Sequence, residues 1–165
     1  MRKTGFTLFE VCIVLALITF MVVMSMGYLQ LVDKSLVRNE LDTLYMVFVK
    51  LQQRARFEHK PIELVFDVSQ NSYTYLNTRE KLAPGIVFGA LSGVHGPPSQ
   101  PVQPIHNPVT FPRQRVIFFP DGKIQPGTVY LTNTAHTVLY ALSCPISQIS
   151  YIRRYIFDQK WALLS

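Results

Sequence analysis

Phe6 to Val32 is a nearly unbroken apolar run, relieved by Thr7, Glu10, Thr19, Ser25, Gly27 and Gln30 and a few Met and Tyr. As a helix rising 1.5 Å per residue it extends about 40 Å, more than the ~30 Å of hydrocarbon in a bilayer. Arg2 and Lys3 precede it, an asymmetry that keeps the N-terminus in the cytoplasm and sends the C-terminal body across the membrane. A secretory signal has a shorter apolar region and a small-residue cleavage site, and Ser25-Met26-Gly27 offers no such pattern. The run therefore reads as a retained anchor over residues 6–32.

From Asp33 the polarity changes while the helical period continues. Val37, Leu41, Leu44, Phe48, Leu51 and Ala55 recur at alternating steps of four and three, a single apolar stripe, with Asp33, Lys34, Arg38, Glu40, Asp42, Lys50, Arg54 and Arg56 on other faces. Pro61 ends the helix near His59, so the spacing predicts a near-continuous helix from about Phe6 to Glu58, its amphipathic part covering 33–59. Gly27 softens it without requiring a break, at a cost of about 1 kcal/mol relative to alanine. The same stripe suits a coiled coil, but the strands that follow need a covering helix, which favours helix on sheet.

Glu10 stands out within the apolar run. A charge near the bilayer centre costs about 2.5–3.5 kcal/mol, so Glu10 either reaches the cytoplasmic interface or meets a partner. The whole segment, Met-Arg-Lys-Thr-Gly5 followed by Phe6-Thr7-Leu8-Phe9-Glu10, resembles the leader of type IV pilins and pseudopilins, with an aromatic at Phe9 where Ile or Leu is commonest. In that family a prepilin peptidase cuts on the cytoplasmic side and methylates the new N-terminus. The resemblance implies a leader of residues 1–5, cleavage between Gly5 and Phe6, N-methylation of Phe6, and pairing of Glu10 with the Phe6 amine of a neighbouring subunit. Such a pair is physically sensible, since each buried charge compensates the other.

Beyond Pro61 the period becomes two. Ile62–Asp67 and Ser72–Leu76, separated by Ser69-Gln70-Asn71, read as a hairpin, and Gly85–Gly89 as a third strand. Ala90–Pro108 is rich in proline and glycine and is expected to be a mobile surface loop, dispensable for folding. Arg115–Phe119 and Gly127–Leu131 flank the turn Pro120-Asp121-Gly122, and Thr137–Leu142 and Ile149–Phe157 complete an antiparallel β-rich domain over residues 60–165. The expected fold is α+β, a long N-terminal helix packed on that domain.

Phe119-Pro120-Asp121-Gly122, then Gly127-Thr128-Val129-Tyr130-Leu131, then a final strand bearing arginines, resemble the GspH/FimT family of minor pseudopilins and minor pilins. That family usually has a Gly-Arg pair in the last strand, whereas this chain has Ile152-Arg153-Arg154. The resemblance implies a non-enzymatic subunit of a periplasmic filament in type II secretion, single-pass in a bacterial inner membrane with its globular domain periplasmic. Its implied partners are other pseudopilins or pilins, the prepilin peptidase, an inner-membrane assembly platform and membrane lipid. A FimT-like minor pilin touching DNA through Arg153 and Arg154, with Tyr151, Tyr155, Lys160 and Trp161 beside them, is the alternative.

Other chemistry is missing from the sequence. His59, His95, His106 and His136 have no second ligand at helical or hairpin spacing, and there is no nucleophile elbow, phosphate loop or C-x-x-C, so neither a metal nor a cofactor nor catalysis is expected. Cys12 and Cys144 fall in the anchor and near the far end, too far apart to bridge; Cys144 reads as a small buried residue. The net charge of +6 is modest and does not by itself imply nucleic acid.

Overall fold

A computed structural model describes residues 8–96, 103–145 and 151–164, without the side chains of 25–31. Helix α1 spans Leu8–Glu58, and the chain divides into two compact units, Met1–Ser35 and Leu36–Ser165.

In the second unit, every member of the apolar stripe from Val37 to Ala55 is fully buried. Phe48 is the hub of this face, with ring centroids 5.3 Å from Phe118 edge-on, 6.2 Å from Phe111 and 6.4 Å from Phe66. The helix stops at Glu58 because His59 turns left-handed (φ 52) and Pro61 follows two residues later. Lys50 and Gln53 face solvent.

Two antiparallel sheets complete the core beneath the helix. One has the order β3-β2-β1-β5, built from β1 (Ile62–Asp67), β2 (Ser72–Tyr75), β3 (Thr78–Lys81) and β5 (Arg115–Phe118). The other runs β4-β6-β7-β8-β9, from β4 (Ile86–Phe88), β6 (Gly127–Asn133), β7 (Leu139–Cys144), β8 (Arg153–Asp158) and β9 (Lys160–Leu164). Alternation selects the inward residues: Ile62, Leu64 and Phe66 of β1, and Val129 and Leu131 of β6, join the helix stripe in one cluster. The first hairpin turns as expected, with the Asp67 carboxylate accepting bonds from the Ser69 hydroxyl (2.6 Å) and the Gln70 amide (3.1 Å).

Three expectations are corrected. β3 was not foreseen: Thr78-Arg79-Glu80-Lys81 has no apolar alternation, and it is drawn into the sheet by the two-residue turn Leu76-Asn77, both left-handed. β5 and β6, expected to flank one turn, belong to different sheets. The Arg-bearing strand is not the last, because Gln159 (φ 59) reverses the chain into β9.

The expected loop Ala90–Pro108 is also corrected where it is described. Val94 is buried, and with Leu91 and Ile105 it covers Tyr130, Leu139, Ala141 and Tyr155 on the outer face of the second sheet, a separate small core. His95 bridges Pro104, and the Trp161 indole donates to the His95 carbonyl at 2.8 Å. Proline content hid this packing because the segment buries side chains without adopting a period. Residues 97–102 lie outside the description.

Candidate assembly segment and basic strand

The first unit contributes the start of α1. From Leu8 to Met24 every large apolar side chain is exposed, Phe9 at 73% and Ile18 at 52%, on all sides of the helix. A helix apolar all round must be covered by lipid or by other helices. Its one hydroxyl in this stretch is matched internally, Thr19 Oγ1 donating to the Leu15 carbonyl at 2.7 Å, so it makes no demand on water. Glu10 lies exposed in the first turn, where the helix dipole favours a carboxylate. Gly5 and Phe6 lie outside the described residues. Among the described residues no helix is long and apolar enough to cross a membrane; the anchor expected over 6–32 includes residues 6 and 7 and the side chains of 25–31, which are not among them.

In the second unit the two arginines of β8 part company, as neighbours on a strand must. Arg154 turns inward: its Nη1 donates to Asp42 Oδ1 of α1 at 2.7 Å, and its guanidinium carbon sits 4.6 Å from the Tyr45 ring centroid. Arg153 turns outward, 4.5 Å over the Tyr151 ring, and donates to the Tyr151 hydroxyl at 3.2 Å. Tyr155 is buried and Trp161 packs on Tyr130, Tyr155 and Phe157 at 5.3–6.4 Å, so these aromatics serve the small outer core. Asp42 and Tyr45 escaped sequence reasoning because nothing local marks a contact across 112 positions.

The Pro120-Asp121-Gly122 turn is fastened to the helix. Gln52 Nε2 donates to the Gly122 carbonyl at 2.7 Å, and Asp121 Oδ1 accepts from the Lys123 amide at 3.0 Å. Gly122 is left-handed (φ 85), and a Cβ there would stand 2.0 Å from the Arg56 guanidinium. Gly127 has a different reason: a Cβ would meet the Phe111 ring at 2.4 Å. Gly122 is thus set mainly by its left-handed backbone and Gly127 by close approach.

Cys12 is exposed and Cys144 buried, and neither is in a disulfide. Burial pushes the Cys144 thiol up to about 12, which makes it inert. Among the described residues no group of three or more His, Cys, Asp or Glu is placed to hold a metal.

This arrangement of helix and two sheets aligns with a solved structure, the minor pseudopilin EpsH from the type 2 secretion system of Vibrio cholerae. The alignment has a TM-score of 0.51 at 10% identity and covers 74% of this chain and 97% of that one. The fold is pilin-like. No family model and no curated protein matches the sequence. In the pilin-like frame, the bond from Gln52 to the Pro-Asp-Gly turn and the tie from Asp42 to Arg154 both join α1 to segments far along the chain.

Proposed function

We propose that this chain is a minor pseudopilin, a structural subunit of a periplasmic pseudopilus of the type II secretion system, matured by prepilin peptidase. The observation that carries the reading is the exposed, all-round apolar helix that has Glu10 in its first turn and precedes a body with its own core. A helix of that kind is covered once in lipid and again by like helices in a filament, and moving between the two needs no refolding of the body. The Gly5-Phe6 junction and Glu10 supply the processing and assembly chemistry, with the Phe6 amine of one subunit meeting the Glu10 carboxylate of the next. The subunit is anchored in the inner membrane with its β-rich body in the periplasm. The alternative, a FimT-like DNA-contacting pilin, rests on Arg153 and Arg154, and the ion pair of Arg154 with Asp42 leaves Arg153 as the solvent-facing member.

The test is the intact mass of the protein recovered from its native host. The expected species begins at Phe6 and carries one methyl group on its amine. A mature chain retaining Met1 to Gly5 overturns the proposal.

A further inference from the structure

Among the described residues the two sheets present four edge strands, and three of them are protected. β3 carries Arg79, Glu80 and Lys81, charges that discourage pairing. β4 is three residues long, too short to template a partner. The edge of β5 is covered by its own continuation: the Phe119 amide donates to the Lys123 carbonyl at 2.8 Å and the Gln125 amide to the Ile117 carbonyl at 2.9 Å. Among the described residues, β9 has none of these devices. It pairs with β8 along one side, contains no proline or bulge, and carries one charge, Lys160, at its start. Ala162 is exposed and Leu163 is 61% exposed, although the two residues point to opposite faces of the sheet. An edge with such side chains recruits another strand.

The sequence of β9 also says which strand fits. In antiparallel pairing with itself, centred on Ala162, Lys160 faces Leu164 and Trp161 faces Leu163 of the second copy. No like charges meet, and each exposed Leu163 is covered by the partner's Trp161 on the same face. Any parallel in-register pairing would instead set Lys160 beside Lys160. We infer that β9 is a self-recognition edge, through which two copies of this chain join antiparallel about Ala162 to make one continuous sheet. The inference is independent of the secretion role, since it rests on the β9 edge alone.

Cross-linking of the full chain in detergent tests it. Directly opposed residues in an antiparallel pair have Cα atoms about 4.5–5.5 Å apart, within the ~4.4–6.8 Å of a disulfide. In a Cys12→Ser background, with the buried Cys144 left in place, Ala162→Cys is expected to give a covalent dimer on mild oxidation. Gln53→Cys, on the exposed helix face, reports association driven by the apolar helix in the micelle, and Ala162→Cys should exceed it at least tenfold. Lys160→Cys alone should not cross-link above that control, whereas Lys160→Cys/Leu164→Cys should. Adding Leu163→Lys to Ala162→Cys should return dimer yield to the control level, with unchanged Trp161 fluorescence showing that the fold persists. Yields from Ala162→Cys no higher than from Gln53→Cys overturn the inference. So does cross-linking in host membranes to a different polypeptide alone, or insensitivity to Leu163→Lys.

Discussion

Two glycines close to each other in sequence resist substitution for different reasons, and the difference is measurable. At Gly122 an added methyl meets the far end of Arg56, which can swing away, so the cost is mainly the left-handed backbone, about 1 kcal/mol. At Gly127 it meets atoms of a buried ring at 2.4 Å, and overpacking of that kind costs about 1–3 kcal/mol. Urea denaturation should therefore rank Gly127→Ala as the more destabilising, and Phe111→Leu should rescue it but not Gly122→Ala. Glu40 gives a pH-dependent counterpart. Burial raises its carboxyl above the ordinary 4.5, the Ala83 amide opposes this, and the charge of Glu80 adds to it. The folded protein thus holds the Glu40 proton more tightly than the unfolded chain does. That contribution to stability is full below 4.5 and is lost as the pH rises through the elevated folded value. Glu40→Gln keeps an acceptor for the Ala83 amide and removes the charge. It is expected to raise Tm at pH 7 and to flatten the Tm profile on the alkaline side of 4.5; an unchanged profile would contradict the buried-carboxylate account.

The elements differ in how plainly the sequence announces them. The helix stripe was readable because one period persists for five turns, and its six residues are all fully buried. β1 and β2 were readable from alternation and from an Asx turn. β3 was not, because its side chains are polar and its place in the sheet is decided by the Leu76-Asn77 turn and by Glu80, which accepts bonds from Tyr73 and Tyr75 on the neighbouring strand. The 90–108 segment misleads most: its packing depends on Val94 meeting Tyr130 and Tyr155, contacts that no local pattern encodes. Replacing 91–105 by a Gly-Ser linker should consequently lower stability by about 2–4 kcal/mol, the scale of a buried aliphatic side chain and its aromatic contacts. The single tryptophan reports the same event, since Trp161 loses its bond to His95 and its emission should shift to the red. A shift in neither quantity would show that the segment is an idle connection. Within the candidate site, the inward turn of Arg154 toward Asp42 required the fold.

At the scale of the whole molecule, the chain couples a helix that cannot remain bare in water to a body that can. If α1 anchors the chain as proposed, Glu10→Leu should leave anchoring intact, since removing a charge eases insertion by about 2.5–3.5 kcal/mol. On the proposed pairing, removal of the carboxylate deprives a neighbouring Phe6 amine of its counter-charge, so incorporation into filaments is expected to be lost while processing to Phe6 continues. Co-purification of this variant with other pilin-like subunits at wild-type yield would contradict the assembly role. The two cysteines follow the same division, Cys12 exposed on the bare helix and Cys144 sealed in the core at the end of β7. A thiol reagent therefore meets two clocks on one chain. Cys12 reacts as fast as its surroundings admit the reagent and so times whatever covers that helix. Cys144 reacts only when the body opens, and its rate counts the body's own unfolding events.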